Sequence, residues 1–284
     1  IERFAKERSG RPFALRVDFW GPHQPYFPTK EYLDMYDESE FSMYGSFNDD
    51  LKDKPPIYRF EDAYSLSKDK QIIIPNPQSE ANWKKMLRYA YAQNTMCDAA
   101  AGRIIDALKR SGLYEDTVVI WSADHGDALG SHGGHIDKNC YLSEEMIRIP
   151  LAVHDPAAGQ GNISSANVSN LDIPATIADY CGEPFRSEID AQSLRPFIEG
   201  EKAQGRDYFV SVSHGHFQWH IARAVCEGRW RYIYNKNMTE ELYDLENDPY
   251  EMHNLCNDPA YADVKERLKG LLDRWRKEYK DREY

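Results

Sequence analysis

Positive charge is what this 284-residue sequence has least of: 35 Lys and Arg stand against 47 Asp and Glu, a formal net charge of −12. A nucleic-acid footprint would need a basic face, so that class of partner is excluded. An anionic small substrate would have to be met by local charge, from a metal and a few cations. Long apolar runs are absent as well, and none approaches the roughly 18 residues of a transmembrane helix. Cysteine is sparse. Five residues without close pairs favour free thiols and a reducing, cytoplasmic compartment. The sequons at Asn162, Asn167 and Asn237 are the form a secreted protein would carry. No internal repeat or low-complexity stretch is present, and the chain opens at Ile1 without an initiator Met, so it reads as a piece of a longer protein.

What is present reads as an α/β chain. Phe13, Leu15, Val17 and Phe19 alternate with Ala14, Arg16, Asp18 and Trp20, which predicts a strand. Pro22, Pro25 and Pro28 then force an extended loop. Tyr32 to about Gln78 lacks periodicity and reads as an excursion of short helices and loops. Trp83, Leu87, Ala90, Asn94, Cys97, Ala101, Ile104 and Leu108 recur at helical spacing, predicting a long amphipathic helix from Trp83 to Ser111. Thr117 to Ala123 is apolar and β-branched, as a strand buried on both faces of a parallel sheet would be. A second strand is expected at Ile149–His154, and a short helix at Asp172–Tyr180 with Asp172 as its N-cap. From Tyr208 the pattern changes to short strands (208–212, 221–225, 230–234 and 241–245) and a terminal helix at Val264–Tyr279. The expected division is residues 1–205 as an α/β part with a mixed, mostly parallel sheet flanked by helices, and residues 206–284 as a small antiparallel sheet with a helix.

The richest stretch is Asp124-His125-Gly126-Asp127, which directly follows the predicted strand. Ligands of parallel sheets bind beyond the carboxyl ends of the strands. A carboxylate and an imidazole side by side there are natural metal donors. Lys138 follows in Gly133-Gly134-His135-Ile136-Asp137-Lys138.

Four pieces in a fixed order resemble the C-terminal two-thirds of a sulfatase of the alkaline-phosphatase superfamily. They are Pro12–Leu15 leading into Pro22-His23-Gln24-Pro25-Tyr26; Asp98 and Gly102-Arg103 through Ser122–Gly126 to Lys138 and Arg148–Leu151; Asp172–Thr176 through Gly182 and Ser193-Leu194; and Arg223–Val225 with Glu241–Pro249. The resemblance implies sulfuric ester hydrolysis with a formylglycine nucleophile upstream of residue 1. The family's Cys- or Ser-x-Pro-x-Arg motif is absent from these residues, and Cys181-Gly182-Glu183-Pro184-Phe185-Arg186 has the wrong spacing. It implies Asp124 and His125 as ligands of one divalent metal, and His23 and Lys138 as catalytic groups at the leaving oxygen or the sulfuryl group. His214 and His216 are candidates for substrate binding, while Asp127, His132 and His135 are expected to be structural or to support the ligands. Calcium is the ion the family implies, but imidazole at His125 suits manganese or zinc better. The implied partners are a sulfated small molecule or carbohydrate and the missing N-terminal segment. Two other readings stay open: a phosphodiesterase or phosphonate monoester hydrolase of the same superfamily, and a noncatalytic fragment or binding module.

Overall fold

The computed structural model describes residues 1–7, 10–59, 79–159, 161–183, 185–200, 204–216 and 218–282. In chain order the elements are α1 (Glu2–Glu7), α2 (Lys30–Leu33), α3 (Glu80–Arg110), β1 (Val119–Ser122), α4 (Ser131–Gly134), α5 (Glu144–Ile147), β2 (Leu151–His154), α6 (Asp172–Cys181), α7 (Arg195–Ile198), β3 (Phe209–Ser213), β4 (Ala222–Glu227), β5 (Trp230–Asn235), β6 (Glu241–Asp244) and α8 (Ala262–Glu278). Short 3₁₀ turns at Glu38–Glu40 and Pro56–Arg59 match the expected excursion up to residue 59. The remainder of that excursion, residues 60–78, lies outside the described residues.

Helix α3 starts where Ser79 caps it, its side chain accepting from the Asn82 amide at 3.2 Å. It buries Trp83, Leu87, Ala90 and Leu108, the apolar stripe read from the sequence, and also Gln93. Beyond it β1 pairs with β2 antiparallel, with Val119 opposite His154 and Ser122 opposite Leu151. This corrects the expectation of parallel pairing for β1 among the described residues. The chain leaves β1, folds residues 123–150 into loops and single turns, and returns alongside, a connection that needs no crossover helix. Nor is β1 buried on both faces, for Trp121 is 42% exposed. The strand expected at Phe13–Phe19 does not form. Alternation supplies a face but not a partner, and no described strand pairs with it, leaving Leu15 and Val17 exposed. Asp172 is the first residue of α6 and not its cap; its carboxylate instead accepts from the Ser169 and Gln192 amides and binds Arg206 through two 2.7 Å bonds. Gly182 closes the helix in the left-handed conformation, as its position predicts.

Strands β3-β4-β5-β6 form one antiparallel sheet in sequence order. Its period of two divides the side chains between two cores. Val225, Tyr232 and Leu242 pack on Leu268, Leu271 and Leu272 of α8. Ala222, Ala224, Ile233 and Tyr243 face the other way, onto Leu142. The segment that carries Lys138 is thereby seated on the sheet, with Cys140, Tyr141 and Met146 packing on Ile57 and Tyr58 below. Buried charges bridge the same seam. Lys54 donates to the Tyr243 hydroxyl at 2.8 Å and the Glu251 carbonyl at 2.6 Å, and Arg231 pairs with Glu251 at 2.8 Å and with Glu144.

Candidate active site

The loop after β1 presents Asp124 and His125. The His125 amide donates to Asp124 Oδ1 at 3.0 Å, turning the two side chains the same way. His125 Nδ1 lies 2.7 Å from the Gly126 carbonyl, which can only accept, so Nδ1 carries the proton. Nε2 is then the lone-pair atom, and it stands 3.5 Å from Asp124 Oδ2. An imidazole with its tautomer set in this way, beside a carboxylate that is 88% exposed, suits a divalent cation. The two donors fit the metal that the sulfatase family implies, though they do not complete the four to eight positions such ions take.

His23 reaches the same place from the proline loop. Gln93 of α3 holds that loop, its amide donating to the His23 carbonyl at 3.0 Å and its oxygen accepting from the Phe27 amide at 2.5 Å. The approach to the helix is close: a Cβ on Gly21 would lie 2.6 Å from Cys97 Sγ. His23 Nδ1 is 2.6 Å from the Gln24 carbonyl, so here too Nε2 is the free atom. It faces Lys138 Nζ at 3.5 Å, and the His23 and His125 rings meet edge to face at 6.2 Å.

Between His23 and Lys138 lies Asp137, which the sequence reading did not single out. Its Oδ1 is 3.7 Å from His23 Nε2, 3.6 Å from Lys138 Nζ, and accepts from the Lys138 amide at 2.7 Å. Asp137 takes a left-handed backbone with φ 64°, held because its amide donates to Asp127 Oδ1 at 3.0 Å. Asp127 is a loop anchor: it also accepts from the Leu129 amide, and burial, helped by the nearby Asp137 charge, raises its proton affinity. Burial, then the charges of Asp127 and Asp137, push the Tyr26 hydroxyl far above its ordinary range. The signal for Asp137 was an acidic residue directly before a candidate lysine, a pattern too common to stand alone.

The structure distributes the remaining histidines. His216 follows β3, and burial, then the charge of Lys138, lowers its pKa against the opposing pull of Asp137. His214 lies within electrostatic reach of Asp281, the partner of Arg223. His135 is buried, and desolvation brings it down to about 4, so it stays neutral. His132 sits between Asp49 and Glu145. An open groove of about 2740 Å³ has Asp124, His125 and Lys138 in its walls. The five cysteines are unbridged, and among the described residues no helix is long and apolar enough to cross a membrane.

Known proteins resemble this chain in sequence and in fold. The sulfatase family model matches residues 1–183, and the model for the C-terminal part of N-sulphoglucosamine sulphohydrolase matches residues 130–278. A choline-sulfatase of Rhizobium meliloti is 31% identical over 91% of this chain and 49% of its own length. An N-acetylglucosamine-6-O-sulfatase of Bacteroides thetaiotaomicron is 27% identical over 85% of this chain and 44% of its own. The chain therefore spans about half the length of the curated relatives it matches. In fold it is similar to the phosphonate monoester hydrolase of Agrobacterium radiobacter, with TM-score 0.83, 24% identity, and coverage of 98% of this chain and 59% of the other. It is likewise similar to a structure solved with its substrate D-glucosamine-2-N,6-O-disulfate, with TM-score 0.81, 23% identity, and coverage of 93% and 65%. Two models that together run almost end to end, on an α/β sulfatase-like fold, place the chain in the sulfatase family of the alkaline-phosphatase superfamily.

Proposed function

We propose that these residues form the cation-binding and leaving-group side of a metal-dependent sulfuric ester hydrolase. The observation that carries the reading is the convergence of two pairs, Asp124 with His125 and His23 with Lys138, from separate segments at one place. Asp124 Oδ2 and His125 Nε2 would hold a divalent cation, which when bound neutralises charge on the sulfuryl oxygens. Calcium is the ion we assign first, with manganese or zinc favoured if the nitrogen donor dominates.

Lys138 and His23 act on the departing oxygen. As the ester bond breaks, negative charge grows there, and a preorganised cationic donor stabilises it. Asp137 keeps the two nitrogens together and supplies their counter-charge. The attacking formylglycine belongs to a segment upstream of residue 1 in this reading. Residues 1–205 are the remainder of the catalytic part, and residues 206–284 the sheet that seats it. His214 and His216, which follow β3, would touch the substrate. A sulfated carbohydrate is the substrate class we favour, because a structural neighbour was solved with a disulfated glucosamine and a curated relative is named for a sulfated sugar.

A phosphodiesterase or phosphonate hydrolase is the second reading, favoured by the imidazole at position 125 and by the likeness to a phosphonate monoester hydrolase. The test uses the full-length protein on matched aryl sulfate, aryl phosphate diester and phosphonate monoester. Preference for the sulfate supports the first reading, and preference for either phosphorus ester supports the second. Turnover of none of them, with metal bound, would leave a binding module.

A further inference from the structure

Asp49, His132 and Glu145 form a buried chain that the proposed chemistry does not use. His132 stands in α4 with a left-handed φ of 45°, and its side chain is 2% exposed. Its Nδ1 faces Asp49 Oδ2 at 3.1 Å and its Nε2 faces Glu145 Oε2 at 3.5 Å. The Glu145 side chain is 5% exposed, and neither of its oxygens has a hydrogen-bond partner, so the ion pair with His132 is its main compensation. The surroundings are charged on other sides too. Lys54 opposes a charge on His132, and a Glu251 oxygen lies within 4.8 Å of the facing His132 and Glu145 atoms. The Tyr58 ring packs on the imidazole in a T-shaped arrangement with the centroids 5.9 Å apart. Burial disfavours a charged imidazole, yet the hydrogen bond to Asp49 and the facing Glu145 carboxylate outweigh it, and the pKa values of both carboxylates are lowered in turn.

The backbone of Glu145 lies directly beneath the loop of Asp124 and His125. Gly126 donates its amide to the Met146 carbonyl at 2.9 Å. A Cβ on Gly126 would come within 1.7 Å of the Glu145 carbonyl oxygen, so this contact leaves no room for a side chain. Met146 is anchored below in the core with Ile57, Tyr58 and Tyr141. Whatever holds Glu145 therefore sets the height of the loop.

We propose that His132 is a positioning residue whose imidazolium, bridging Asp49 and Glu145, pins the Glu145–Met146 backbone under Gly126 and so fixes Asp124 and His125 for a divalent cation. The effect on cation binding rests on the reading of Asp124 and His125 as donors, and the backbone clamp does not.

The experiment uses residues 1–284 as wild type, His132→Gln, Glu145→Gln and Asp124→Ala. Manganese affinity is measured by calorimetric titration well below the unfolding temperature, and hydrogen exchange is followed at the Gly126 amide, with β4 amides as the internal control. Loss of a group that orients metal ligands weakens metal binding by about 10- to 100-fold. That loss is expected in both clamp variants, with faster exchange at Gly126 and unchanged protection in β4. Glu145→Gln keeps the side-chain volume should His132→Gln fold poorly. Variants that melt earlier but bind manganese like wild type, with Gly126 still protected, would make His132 merely structural. A second manganese equivalent lost only with His132 would make the His132, Glu145 and Glu251 cluster a cation site and overturn the clamp. Wild-type affinity in Asp124→Ala would refute the metal reading alone, and Gly126 exchange would still decide the clamp.

Discussion

His23 and Lys138 face each other across 3.5 Å with Asp137 at the side of both, so one carboxylate serves two nitrogens. Removing a preorganised donor costs on the order of 100- to 1000-fold in kcat. In the full-length enzyme His23→Ala and Lys138→Ala should lose that much on alkyl sulfates and much less on nitrophenyl sulfate, whose leaving group needs little assistance. A series of esters with graded leaving-group pKa reads this directly, and equal losses across the series would reassign both residues to binding. Asp124→Ala should lower both metal content and rate by orders of magnitude, checked by elemental analysis beside kinetics. At this scale the grouping of His23, Asp124, His125 and Lys138 was legible, because few residue types suit a site for an anionic ester. Asp137 and Gln93 were not: an acid and an amide acquire meaning only when folding brings other segments to them.

At the scale of elements, α3, the strands of the C-terminal sheet and α8 were readable because each has a partner that its periodicity anticipates. The Phe13–Phe19 segment shows the limit of alternation as a signal, since no strand among the described residues pairs with it. The loop from Leu129 to Asn139 was illegible for another reason. Leu129, His132, Asp137 and Asn139 hold positive φ beside Gly130, Gly133 and Gly134, a conformation that side-chain patterns do not encode. Its stability should follow pH in both directions. The raised pKa of His132 contributes stability that is complete below its unfolded value of about 6.5 and is lost as pH rises through the folded value. The lowered pKa values of Asp49 and Glu145 contribute above their unfolded values of about 4, and that is lost as pH falls through the folded ones. Denaturant unfolding from pH 3 to 9 should therefore show a plateau between those limits, with the alkaline arm missing in His132→Gln. Lys54 and Glu251 also face this cluster.

For the whole molecule, the sequence of 284 residues contains no formylglycine motif, and its relatives are about twice as long. Residues 1–284 alone should show no turnover of aryl sulfate or aryl phosphate with any divalent ion, and sustained metal-dependent hydrolysis by them would place the chemistry within this chain after all. The buried charges between Lys54, Glu144, Arg231, Tyr243 and Glu251 bear on how the chain comes apart. Removing one partner of a buried pair leaves a bare charge and costs about 3–5 kcal/mol, the loss expected for Glu251→Ala in chemical denaturation. Lys54 and Glu144 reach from the loops of the first 150 residues to the last sheet and its flanking turn, so neither side can open without stranding charge on the other. The two proposed parts should melt together, as a single calorimetric transition whose van't Hoff and measured enthalpies agree. Cutting the chain near residue 205 should then yield two pieces that do not fold apart, which would make the proposed division one of architecture and not of cooperativity.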